Sequence, residues 1–183
     1  MVLQLTPQQI DEMVTQARQG APREICGVLG GRGRTVNEIT AVTNIASVPE
    51  RAYRMDDREL AHSLTSLARR GMGPIAFYHS HPSDAPRPSA LDIGEWAYPD
   101  VVLLIIGLRP APSLSAWSIR WGEVTPVDLV IDTNLTATQR PDWTTAAQIA
   151  VLVAVIAAVA LVLLLAFSLL PPAPPIPATP MPR

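Results

Sequence analysis

Residues 75–92 read IAFYHSHPSDAPRPSALD, and the rest of the chain is best read outward from them. The stretch opens as a short apolar strand, residues 75–81, in which His79 and His81 lie two apart and so project to one face. A Pro-rich loop, PSDAPRP over 82–88, follows, and Ser89 starts a short helix expected to run to about Ala97. Two imidazoles on one strand face can share a metal ion, and Asp92, just inside the helix, can add a carboxylate oxygen. Two His and one carboxylate are a common ligand set for catalytic zinc, with water at the open position. Zinc lowers the pKa of such a water to about 7. Ser89-Ala90-Leu91-Asp92 also fits a helix-capping box. That structural role can coexist with ligation and leaves the paired histidines unexplained.

The flanking sequence reads as an α/β domain. Thr6-Pro7-Gln8-Gln9 carries a cap, a first-turn proline and a capping-box glutamine, with Ile10, Met13, Val14 and Ala17 on one helical face and Gly20 as the stop. Residues 25–30 and about 35–46 read as strands joined by a Gly-rich turn. Asp56 and Glu59 open a second helix whose buried face is Leu60, Leu64 and Leu67. VVLLIIGL over 101–108 is a buried strand. In SAWSIRW over 115–121, alternation puts Trp117, Ile119 and Trp121 on one face. VTPVDLVI over 124–131 is the last strand, with Pro126 hinting at an edge.

Composition sets the outer limits. The chain has 183 residues, 48% of them hydrophobic and 16% charged, enough for one domain and an appendage and far from a disordered composition. A single cysteine, Cys26, excludes an intramolecular disulfide framework and a four-Cys zinc site. A net charge of -2 gives no reason to expect nucleic acid. All 14 basic residues are Arg, which reads as a prokaryotic composition bias. The apolar excess sits at one end: 149–167 has no polar side chain, and 146–170 is long enough as a helix to cross a bilayer core about 30 Å thick. The expected order is a globular domain over 1–131, a linker over 132–145, a transmembrane helix over 146–170 in the lipid bilayer and a Pro-rich tail over 171–183. The N-terminus has no signal-peptide pattern, so the globular part is expected in the cytoplasm behind a C-terminal anchor.

The spacing of His-Ser-His, seven residues, Ser, two residues and Asp resembles the signature of the JAMM (MPN-plus) metalloprotease family, with every defining position present. Upstream, PREICGVLGG over 22–31 resembles the segment that carries this family's catalytic glutamate, which falls at Glu24. Asn44 and SVPERAYRMDDREL over 47–60 look like the family's middle section, and the likeness extends over about residues 5–130. The resemblance implies a single domain with a curved mixed sheet flanked by helices, similar to cytidine deaminases. It implies one Zn2+ on His79, His81 and Asp92, Glu24 as the acid–base group and Ser89 steadying the oxyanion. The implied reaction is hydrolysis of peptide or isopeptide bonds in ubiquitin-like or sulfur-carrier protein conjugates. Cys26 has no CxxC partner, so the deaminase type of zinc site is absent. Glu95, one turn past Asp92, is the rival to Glu24. The chain lacks room for the long insertions with which eukaryotic deubiquitinases grip ubiquitin, and the membrane helix lies outside the family pattern. A non-enzymatic scaffold is the competing function, and a hydrolase of small peptides or amides a third. A scaffold has no need of the intact His-Ser-His, Ser and Asp set.

Overall fold

The computed structural model describes residues 2–133 and Ala154. The chain divides into two units, Met1–Thr138 and Gln139–Arg183, and the fold described is that of the first. Most of the expected linker, the transmembrane helix over 146–170 (Ala154 aside) and the tail over 171–183 lie outside the described residues. Among the described residues no helix is long and apolar enough to cross a membrane.

The elements follow in the order β1 (Val2–Leu5), α1 (Pro7–Gly20), β2 (Cys26–Arg32), β3 (Thr35–Val42), α2 (Asp57–Arg69), β4 (Gly73–His81), α3 (Ala90–Gly94), β5 (Val102–Gly107), β6 (Ser113–Arg120) and β7 (Glu123–Ile131). The sheet is mixed, as expected, and its curve runs full circle. It closes as a barrel in the order β1-β3-β2-β4-β5-β6-β7, with β7 returning to β1. Closure depends on β1, a strand that four residues, VLQL, could not announce by periodicity. Val2–Leu5 pair in parallel with Asp128–Ile131, and Gln4 alone pairs with Thr35 of β3. Leu3 and Leu5 are fully buried.

Local sequence explains the helix starts. Gln9 N–H donates to Thr6 Oγ1 and Thr6 N–H to Gln9 Oε1, completing the expected capping box of α1. Asp56 Oδ1 accepts from Arg58 N–H and Glu59 N–H at the start of α2. The short α3 ends at Gly94, before the expected Ala97, and the Glu95 N–H closes it on the Leu91 carbonyl. Pro99 disfavours helical backbone at Tyr98 just beyond.

One expectation for the last hairpin is corrected and a second is narrowed. Trp121 does not share a face with Trp117 and Ile119. It forms the two-residue turn with Gly122, both at positive φ (54° and 81°), and is 97% exposed. Two positive-φ residues match the twist of the flanking strands, and a turn residue belongs to neither face. Pro126 pairs with Trp117 on β6, while β1 begins alongside β7 only at Asp128. Among the described residues, the proline therefore sits where one side of β7 has no strand neighbour, and the edge is local. The second expected strand likewise stops at Val42, and Asn44 makes only an isolated bridge to Met55.

Both faces of the central strands are covered. Ala76 and Tyr78 of β4 pack with Leu29, Leu104, Ile106 and with Met13 and Ala17 of α1. Phe77 turns the other way, with Cys26, Val28, Val42, Met55 and Leu67 of α2. Burying each such large apolar side chain contributes about 1.5–3 kcal/mol. The alternation that sends Phe77 to the α2 side sends His79 and His81 there as well, at the C-terminal end of β4.

Candidate metal centre

The four side chains singled out by the sequence for metal and acid–base work meet at this strand end. His79 Nε2 and His81 Nε2 face each other at 2.9 Å. Asp92 Oδ1 lies 3.3 Å from His79 Nε2, and Oδ2 lies 3.6 Å from His81 Nε2. Asp92 is held by the start of α3: its N–H donates to Ser89 Oγ at 3.1 Å, and Ser89 N–H donates to its Oδ2 at 2.7 Å. The capping box and the convergence on the histidines are therefore one arrangement. The bond to Ser89 Oγ uses a lone pair and leaves the hydroxyl proton for another acceptor.

Glu24 reaches the same point from the other side of the sheet order. Its carboxylate and the ring nitrogens of His79 and His81 lie within 4.8 Å of one another. The rival, Glu95, lines the cleft but does not join that group. Glu24 precedes β2, and its backbone is clamped on both sides. Its N–H donates to the Pro49 carbonyl at 2.7 Å, and its carbonyl accepts from Asn44 Nδ2 at 2.9 Å. Asn44 also donates to the Ala52 carbonyl and accepts from the N–H groups of Ala46 and Arg54, so the 46–54 segment is tied to Glu24. Next door, Ile25 N–H donates to Ser80 Oγ, and Ser80 N–H donates to the Ile25 carbonyl, each at 3.0 Å. The serine between the two histidines thus fastens the glutamate segment to β4.

Sequence reading did not find Ser80, or Tyr53, whose ring stacks on His79 at 4.2 Å between centroids. Neither has a local signal: one is the spacer of His-x-His, and the other lies in an irregular segment. Asn44 was visible only as part of a family-like pattern.

The two carboxylates differ in charge state. Burial pushes Asp92 up, but hydrogen bonds to His79 and His81 outweigh it and hold the group well below the usual carboxylate range. Burial raises Glu24 from 4.5 to about 7, with Asp92 and Asp84 adding to the rise and His81 opposing it. One carboxylate stays ionised and the other is poised to exchange a proton near neutrality, the environmental split typical of acid–base sites. For the choice of ligand this favours Asp92 over Glu24. Burial lowers His79 in spite of Asp92. For His81 burial also opposes the charge, but bonds to Asp92 and the Ala85 carbonyl and the nearby Glu24 raise it on balance. Two ring nitrogens and an ionised carboxylate directed at one point are a donor set that fits zinc. Cys26 is no part of it: its thiol donates to the Val42 carbonyl, and burial pushes it to about 12. A cleft of about 650 Å³ opens over the centre, lined by Glu24, Tyr53, His81, Ser89, Asp92 and Trp96 among others.

The barrel-closed mixed sheet carries this centre at the end of β4. A model of the prokaryotic homologs of the JAB domain (Prok-JAB) matches residues 6–120, and the chain belongs to that family. It is 40% identical over 101 residues to the desampylase of Haloferax volcanii, covering 52% of this chain and 73% of that one. It is 34% identical over 102 residues to a probable TtuB-protein conjugate cleaving protease of Thermus thermophilus, covering 55% and 68%. It is 30% identical over 136 residues to the CysO-cysteine peptidase of Mycobacterium tuberculosis, covering 70% and 92%. The solution structure of protein DSY2949 from Desulfitobacterium hafniense superposes with a TM-score of 0.68 at 31% identity, covering 75% of this chain and 97% of that one. The relatives' names are those of peptidases and conjugate-cleaving proteases, and the JAB/MPN expectation for the fold holds.

Proposed function

We propose that this protein is a zinc metallopeptidase that hydrolyses peptide or isopeptide bonds at the C-terminus of a ubiquitin-like or sulfur-carrier protein. The observation that carries the reading is the convergence of His79, His81 and Asp92 beside Glu24. Names among the relatives support the substrate class. His79 Nε2, His81 Nε2 and the Asp92 carboxylate would hold the ion. Zinc bound there would act as a Lewis acid and lower the pKa of water to about 7.

The chain's own residues do the rest. Glu24 takes a proton from the attacking water and hands it to the leaving amine nitrogen as the C–N bond breaks, which yields a carboxylate and an amine. The Ser89 hydroxyl donates to the carbonyl oxygen as negative charge builds on it. The cleft holds the C-terminal segment of the substrate protein, and the apolar run over 149–167 fixes the enzyme to a membrane.

The deciding experiment uses the detergent-solubilised full chain and a ubiquitin-like protein joined to a lysine. Wild type should carry about one zinc per chain. Glu24→Gln should keep the zinc and lose turnover by about 10²–10⁴-fold. Absence of zinc in wild type, or full activity in Glu24→Gln, rejects the reading. Recovery of the full chain in the soluble fraction after membrane washing rejects the anchor.

A further inference from the structure

The two histidines are held by different means. His79 is fully buried and stacked on Tyr53, and among the described residues its Nδ1 has no hydrogen-bond partner. His81 is more open, and its Nδ1 meets the Ala85 carbonyl at 3.2 Å. When Nδ1 carries the ring proton and donates it there, Nε2 keeps its lone pair for the centre. The 82–88 loop is therefore part of how His81 is aimed.

What holds that loop lies on strands outside the His-Ser-His motif. Trp117, on β6, donates its indole N–H to the Pro86 carbonyl at 3.1 Å. Gly107, ending β5, makes room for the same residue: a Cβ there would fall 2.6 Å from Pro86 Cδ, 2.7 Å from Pro86 N and 2.9 Å from the Asp84 carbonyl oxygen. Leu108 N–H donates to the His81 carbonyl and ties the start of the loop to the end of β5. The Trp117 ring also packs in the cluster of Leu103, Ile105 and Ile119 that receives Ile93, the neighbour of Asp92.

The geometry points to Trp117 as a positioning residue of the centre. Its indole N–H fixes the Pro86 carbonyl, and through the adjoining Ala85 carbonyl it sets the tautomer and direction of His81. Gly107 acts with it by admitting the loop. The effect on zinc rests on the proposed metal function; the effect on the His81 ring does not.

The test uses the full chain in detergent with Zn2+ as the probe. Trp117→Phe keeps an aromatic ring in the cluster and removes only the donor. In chelator competition its zinc dissociation constant should rise about 10-fold, the low end of the range for residues that orient a ligand. In ¹⁵N spectra of the metal-free protein, at a pH where the ring is neutral, the His81 Nδ1–H form should lose population. Gly107→Ala should move both readings the same way. Ile119→Val loosens the same strand and should lower the thermal midpoint with neither reading changed. An unchanged tautomer signal in Trp117→Phe overturns the inference, as does unchanged zinc affinity where wild type binds zinc. If neither protein binds zinc, the metal function fails and the tautomer signal alone decides the role of Trp117.

Discussion

The two faces of β4 make different use of one strand. On one side Ala76, Tyr78 and Ser80 face the α1 side of the core or fasten β2, and the groups there are apolar or satisfied. On the other, Phe77 gives way within four residues to His79 and His81, which share a crowded polar point with Asp92 and Glu24. The first face is stabilised by burial. The second buries titratable groups, which costs stability unless they are paired, and leaves His79 Nδ1 without a partner among the described residues. A period of two residues lets the apolar side hold rigid what the polar side must aim.

The sharpest way to break this contrast is to exchange the damage. His81→Ala should abolish zinc binding and turnover while the metal-free thermal midpoint stays near that of wild type. Leu104→Ala, on the apolar side, should cost about 2–5 kcal/mol in denaturant unfolding and keep the zinc content of the folded protein. A His81→Ala protein that unfolds, or a folded Leu104→Ala protein without zinc, would show that the faces are not separable.

A smaller effect sharpens the polar side. Glu24 must be ionised to accept a proton, and burial has raised its value to about 7. Below that value the ionised fraction falls tenfold per pH unit, so kcat/KM should decline toward acid. A cation in the centre draws the value down, which puts the acid limb at or below about 7. A pH profile whose rate rises toward acid contradicts the role of Glu24 as base.

The smallest expected change is on the apolar side. Tyr78 is buried, and its hydroxyl donates to Gln16 Oε1 at 2.9 Å. Tyr78→Phe should lower stability by about 0.5–1.5 kcal/mol and leave kcat unchanged. A fall in kcat would mean that this face also tunes the chemistry.

Much of this was legible in the chain. The capping residues Thr6 and Asp56 marked their helices because capping is a bond between near neighbours. His79, His81 and Asp92 were legible because strand alternation and a helix start bring them together over a short span. Glu24 was not, since 55 positions separate it from His79 and only a resemblance placed it there. Trp121 misled because alternation cannot tell the last strand residue from the first turn residue. Ser80 and Trp117 carried no local mark, as their partners lie far away in sequence.

By itself, then, the sequence determined the local elements, the candidate ligand types and their spacing, because those depend on bonds and periodicities within a few residues. The tertiary structure alone decided that four residues at the N-terminus close the barrel. It alone brought Glu24 beside the histidines through Asn44 and Ser80, and set the indole of a distant strand on the Pro86 carbonyl of the loop after His81. Those outcomes depend on register between strands, which is fixed by the packing of both sheet faces together.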